Sequence, residues 1–447
     1  MPFLISVFLM LVVALAALHF CLRHWANISL LRLGDAFRLL TGMGAKLACS
    51  ARHISGFDET RIRRDLTTYS PAYPLLSLRF ADKRVTATLA GLHTRTAAFF
   101  DETGSLLDAS PHTPETPAIP RATIPHTLAW PQGERAPAIN TKIQELTDSL
   151  LRQDNRQGFD TRALLVVKDG QLIAESYGPG INNRTRLLGW SMSKSLTAIL
   201  FGRMEQLGIA CAGQNNLFDE WREDERCGIT LEHLLQMRSG LSFDESYTPG
   251  SDVTRMLFSD HNCWRRALDS RLIHPPGRFF TYASGTTNLL TRWMQLRLGG
   301  GLACRNFLNE EILQPLGMHR TLFEEDGSGV LVGSSYTYAS GRDWARLAQL
   351  MLDRGCANGR RILSQEWVTR ASTPNASDND GRYGYQFWLN RAPGMARRYP
   401  GLPGDASFML GNHEQKVMIV PSQNTAVVRL GWCAKEYPVE ARFQTLL

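Results

Sequence analysis

Gly189-Trp190-Ser191-Met192-Ser193-Lys194-Ser195 sets a serine and a lysine three residues apart, the only S-x-x-K in the chain. On a helix, residues three apart share a face, so the hydroxyl and the amine come within hydrogen-bonding reach. A serine hydroxyl is a weak nucleophile at neutral pH and needs a neighbouring base. A lysine serves as that base when desolvation or other positive charge lowers its pKa. A serine at a helix start also places free backbone N–H groups and the helix dipole beside a developing oxyanion. Alone, such a pair describes any polar helix face. Its setting is more telling: a hairpin precedes it, and an apolar helix (Leu196, Ile199, Leu200, Met204) follows it.

That hairpin is Ala163–Lys168, Asp169-Gly170, Gln171–Tyr177, two β-rich runs joined by an Asp-Gly turn. Before it, Asn140 can cap a helix with apolar positions Ile143, Leu146, Leu150 and Leu151. Helical stretches are predicted at 193–207, 230–237, 287–299 and 341–354. Lys416–Val420 and Thr425–Leu430 read as paired strands about Pro421-Ser422-Gln423-Asn424. Strands at both ends with helices between predict an α/β (α+β) fold, with one sheet built from N- and C-terminal strands and covered by helices.

A small α/β module is predicted over 45–110. It has a helical stretch from Asp58 to Leu66 and strands Leu75–Phe80 and Arg84–Ala90 about Ala81-Asp82-Lys83. Ala97–Phe100 and Ser105–Leu107 flank a second turn, Glu102-Thr103-Gly104. Seven of the 21 prolines then fall between Pro111 and Pro137. Proline removes a donor and fixes φ, so 111–137 reads as a linker. The expected organisation is 1–25 membrane anchor or signal segment, 45–110 small module, 111–137 linker and 138–447 catalytic domain.

The composition is that of a folded chain: 447 residues, 43% hydrophobic and 20% charged. The net charge of +7 comes almost wholly from scattered arginines, since lysines number seven. No long basic run accompanies it, so a solvated surface is the reading and nucleic acid is not an expected partner. Eight cysteines include no C-x-x-C pair and no zinc spacing, and His413-Glu414 lacks the second histidine of a zincin motif. No metal and no cofactor are assigned. Residues 3–22 (FLISVFLMLVVALAALHFCL) carry no formal charge and are long enough to span a bilayer core. A cleaved signal usually has a basic start, absent here, so an uncleaved membrane anchor is the expectation. Arg23, His24, Arg32 and Arg38 argue for a cytoplasmic flank, although long C-terminal domains cross regardless of such charges. If the domain lies outside the cytoplasm, a bridge such as Cys211–Cys227 is open to it.

A second element is Tyr282-Ala283-Ser284-Gly285, after Pro275-Pro276-Gly277. A tyrosine near a lysine can have its pKa lowered and pass a proton to a leaving group, while Ser284 helps hold the lysine. Taken together these motifs resemble the serine β-lactamase/penicillin-recognising superfamily, in its class C-like esterase and amidase branch, over residues 135–447. Four more stretches match in order: Leu231-Glu232-His233-Leu234-Leu235-Gln236-Met237-Arg238-Ser239-Gly240-Leu241, Pro276-Gly277, Ala339-Ser340-Gly341-Arg342-Asp343-Trp344-Ala345-Arg346 and Tyr383-Gly384-Tyr385-Gln386-Phe387-Trp388. The loop Asp244-Glu245-Ser246-Tyr247, followed by Ser251-Asp252-Val253, is most similar to 6-aminohexanoate-dimer hydrolase-like proteins.

The resemblance implies an antiparallel sheet and an acyl-enzyme. Ser191 would be the nucleophile, Lys194 its base and Tyr282 the proton relay to the leaving group. Tyr247, Ser284 and His413 would face substrate. The second oxyanion donor would lie within Ala406–Gln415. The resemblance also implies a periplasmic catalytic domain. The chain departs from the family at the third motif: it has no Lys-Thr-Gly, and the corresponding stretch is Leu410-Gly411-Asn412-His413-Glu414-Gln415-Lys416. Either His413 is the family histidine displaced by one position, or Asn412 occupies its place. Without a cation there, affinity for the carboxylate of penicillins should fall. The expected substrate is therefore a small-molecule carboxylic ester or amide. A penicillin-binding or β-lactamase activity with a substituting arginine, and a catalytically idle envelope scaffold, are the alternatives.

Overall fold

A computed structural model of the chain describes residues 2–26, 29–109, 117–119, 127–135 and 139–447. Of the expected linker, residues 111–116, 120–126, 136 and 137 lie outside the described residues.

The Asp-Gly turn closes as expected. Asp169 and Gly170 both take positive φ (49° and 77°), the pairing whose twist suits a two-residue hairpin. The strands it joins, Thr161–Lys168 and Gln171–Tyr177, form one edge of a six-stranded antiparallel sheet. Thr161–Lys168 pairs next with Thr425–Gly431, followed by Gln415–Val420, Ser407–Gly411 and Trp388–Leu389. The sheet thus unites the first strands after the proline-rich stretch with the last strands of the chain.

Thr161–Lys168 is buried along seven of its eight residues because both faces are covered. Leu164 and Val166 meet Leu150, Leu151 and Phe443 on one side. Ala163, Leu165 and Val167 join Leu347, Ala348 and Leu350 in the main core on the other. The period-2 alternation of the strand sorts these side chains between two helical layers.

The N-terminal region holds a four-stranded antiparallel sheet, Leu76–Ala81, Arg84–Leu89, His93–Phe100 and Gly104–Leu107. Helix Leu33–His53 packs on it and begins well before residue 45. This helix is buried over residues 41–50, on all sides. Small residues allow that: a Cβ on Gly42 would stand 2.2 Å from the Phe258 carbonyl oxygen. Its core residues belong to one cluster with those of residues 139–447. Helix Pro2–Ala26 is different. Its stretch Phe3–His24 has no buried residue and is long and apolar enough to cross a membrane or to be a signal sequence. All eight cysteines are free thiols, Cys211 and Cys227 included.

Candidate active site

The S-x-x-K stretch sits where a short strand becomes a helix. Leu187–Leu188 pairs with Tyr338–Ala339, and the Gly189 N–H donates to the Thr337 carbonyl at 2.8 Å. Gly189 is required sterically, because a Cβ there would lie 2.2 Å from Cζ2 of Trp344. Trp190 follows with φ at 49°. One helical turn, Trp190–Met192, leads into helix Ser193–Gln206. Ser191 is thereby presented, half-buried, at the N-terminal end of a helix whose dipole favours negative charge.

Lys194 is 1% exposed. Its Nζ lies 3.0 Å from each of Ser191 Oγ, Ser284 Oγ and the Ser334 carbonyl oxygen, and 4.8 Å from the centre of the Tyr282 ring. Burial lowers its pKa to about 8, against a smaller opposing pull from Glu245. Tyr282 stacks on Trp388 at 5.2 Å and hydrogen-bonds with Ser191. The sequence argument lowers the pKa of this phenol, but the surroundings do the reverse. Burial foremost, and then the negative charge of Glu245, push it above its ordinary value despite the bond to Ser191. Tyr282 therefore stands as a protonated donor beside Ser191, suited to relaying a proton.

Ser284 opens helix Ser284–Leu298 and meets Lys194 as expected. Tyr247, at φ 58°, reaches the same serine. His413 is not brought to this cluster. Its ring stacks on Trp432 at 4.7 Å and meets the edge of Tyr69 at 4.3 Å, and burial drives its pKa down to about 3. Its Nδ1 has no hydrogen-bond partner among the described residues.

Strand Ser407–Gly411 ends against the Gly189–Met192 turn: a Cβ on Gly411 would lie 2.2 Å from the Gly189 carbonyl oxygen. His413 and Glu414 then take positive φ (52° and 66°), so the chain turns before the next strand. Gln415 Nε2 donates to the Asn412, His413 and Gly431 carbonyls, and Arg429 donates to that of Glu414 at 2.8 Å. The carbonyls of this turn are thus held inward.

One further group has no role in the sequence reading. Glu245 accepts from the Ser284 N–H at 2.8 Å and from the Ser284 hydroxyl at 2.5 Å. Its only sequence signal is its place in the Asp244–Tyr247 loop, where the resemblance gives a role to Tyr247 and none to Glu245. Two other motifs prove to be scaffolding. His233 forms a capping box with Thr230. Gln386, at φ 59°, donates to the Leu234 and Leu235 carbonyls and accepts from Thr287.

A sheet closed from both chain ends, with a helix-borne serine–lysine pair and a tyrosine at its edge, defines a class of fold and site. The chain belongs to the beta-lactamase family, whose sequence model matches residues 140–441. It is similar to the 6-aminohexanoate-dimer hydrolase of Paenarthrobacter ureafaciens, 24% identical over 368 residues that cover 76% of this chain and 85% of that one. Among solved structures it resembles a family VIII carboxylesterase (TM-score 0.54, 14% identity, 69% of this chain and 97% of the other). It also resembles a class C beta-lactamase (TM-score 0.51, 15% identity, 68% and 94%). These two likenesses are likenesses of fold.

Proposed function

We propose that this chain is a serine hydrolase that acts through an acyl-enzyme on a carboxylic ester or a small amide. The observation that carries this reading is the buried Lys194 amine 3.0 Å from Ser191 Oγ, with its pKa lowered to about 8. A neutral amine at that distance can take the hydroxyl proton as the oxygen attacks a carbonyl. Tyr282 then gives a proton to the leaving group and helps activate the water that releases the acyl chain. In this reading the Ser191 N–H supplies one oxyanion donor, and a backbone N–H of the turn after Gly411, within the stretch 406–415, supplies the second. Tyr247 and Ser284 face the substrate in the same reading.

The named relatives hydrolyse amides or esters, which supports the same chemistry here. The missing Lys-Thr-Gly disfavours penicillins. The helix at Phe3–His24 serves in this reading as a membrane anchor with the catalytic domain on the periplasmic side.

Labelling tests the reading directly. A fluorophosphonate probe should modify the wild-type protein and fail on Ser191→Ala, and Lys194→Ala should label at a few per cent of the wild-type rate or less. A fluorescent penicillin should leave the protein unlabelled. Strong penicillin labelling at Ser191 would replace the esterase–amidase reading with a penicillin-binding one, and no labelling by either probe would leave an idle scaffold.

A further inference from the structure

We propose that Glu245 is a positioning residue that fixes the direction of the hydrogen-bond chain Ser191–Lys194–Ser284, so that the lone pair of Lys194 faces the Ser191 hydroxyl. The inference rests on Ser191 and Lys194 being nucleophile and base.

Both carboxylate oxygens of Glu245 are engaged by Ser284, one by its N–H at 2.8 Å and the other by its hydroxyl at 2.5 Å. A serine hydroxyl has one proton. Once that proton points at Glu245, Ser284 Oγ can only accept from Lys194. The Ser334 carbonyl, the third neighbour of Nζ, is likewise an acceptor only. A neutral amine has two N–H bonds and one lone pair. With the two N–H bonds committed to Ser284 and Ser334, the lone pair is left for the direction of Ser191 Oγ. The Ser191 hydroxyl must then donate, which is the direction general-base catalysis requires. Without Glu245, the Ser284 hydroxyl can turn its proton onto the lysine nitrogen, and the lysine can spend an N–H on Ser191 instead.

The arrangement has an electrostatic side effect of opposite sign. The carboxylate favours the ammonium form of Lys194, opposing the desolvation that empties it. Glu245 therefore supplies direction while holding back deprotonation. The other titratable groups facing this pair are the phenols of Tyr282, Tyr247 and Tyr383, all held protonated by burial, and Asp244, which is exposed and adjacent to Glu245.

The test is the pH dependence of the fluorophosphonate labelling rate, measured on the full chain in detergent. Wild type should show a rate that rises with pH to a plateau. Glu245→Gln removes the charge, and its amide can donate to Ser284. Its plateau should fall about tenfold while its acid limb moves to lower pH. The ratio of the rate at pH 7 to that at pH 9 should rise roughly threefold or more. Glu245→Asp should keep the limb at the wild-type pH and recover part of the plateau.

A merely structural role would lower the rate at every pH and leave the limb in place, and that result overturns the proposal, as does an unchanged plateau. Thermal unfolding of each variant identifies any that does not fold. A second comparison uses Ser284→Ala: once the hydroxyl is gone, adding Glu245→Gln should cost no further plateau rate, and additive losses overturn the proposal. Labelling that persists in Ser191→Ala, or wild type that does not label, instead removes the nucleophile assignment on which the proposal stands.

Discussion

At the scale of the residue, the proposed serine-hydrolase reading makes reactivity depend on how little water reaches Lys194. Below about pH 8 the amine is an ammonium ion with no lone pair, and above it the base is available. The expected profile of kcat/KM for an ester substrate therefore rises with pH, falls about tenfold per unit on the acid side, and levels off above an apparent pKa of about 8. A flat profile between pH 6 and 9 would contradict Lys194 as the base. Tyr282 is held protonated, so Tyr282→Phe should slow turnover by ~100-fold or more without moving that acid limb. The Ser191–Lys194 contact was legible because a three-residue spacing on a helix has a direct geometric meaning. Glu245 was not legible. An acidic residue between Asp244 and Ser246 reads as solvated, and it gains its place only because the fold folds that loop back onto Ser284, 39 residues further on.

At the scale of the element, the site depends on the contact between a strand end and the nucleophile turn. The hairpins and helices around it could be read from turn chemistry and period, to within a residue or two at most ends. The 410–416 stretch could not, because the choice between Asn412 and His413 presumes a continuous strand whose side chains alternate. The strand stops at Gly411, two residues with positive φ follow, and the His413 ring goes into an aromatic cluster beside Trp432. On the proposed reading, what the strand end supplies to the cleft is therefore backbone. Gly411→Ala sets a methyl against the Gly189 carbonyl, where backbone has little room to move. The expected result is a modest stability loss, about 1–3 kcal/mol by denaturant unfolding. It should be accompanied by a fall in kcat of tenfold or more, since the turn that aligns Ser191 is pushed away. A variant that lost stability but kept kcat would place the oxyanion donors elsewhere.

At the scale of the whole molecule, the N-terminal region is tied to the catalytic region by buried charge. Lys46, from helix Leu33–His53, donates to Glu324 at 2.8 Å, with side chains 5% and 0% exposed. Ser50 and the Ser105 N–H complete the acceptor's partners. In sequence, the polar residues Thr41, Lys46 and Ser50 fall on different faces and interrupt any single apolar stripe, so the periodicity gives no clear helix there. Lys46 and Ser50 find their partners in residues distant in the chain, while Thr41 donates to the Phe37 carbonyl one turn back and meets His93. Glu324 in turn belongs to the segment that holds the Ser334 carbonyl against Lys194, through the bonds of Glu324 with Tyr336 and Val332. Lys46→Met leaves a buried carboxylate without its cation and should cost about 3–5 kcal/mol. Lys83→Met, at the exposed Lys83–Asp101 pair, should cost less than about 1 kcal/mol. Denaturant unfolding of both variants separates these outcomes. By the same logic a chain lacking residues 1–26 keeps Lys46 and should fold and label with a fluorophosphonate. A chain beginning at residue 111 exposes the face of the catalytic region that this helix covers, strands Glu324 without its partners, and should neither fold cooperatively nor label.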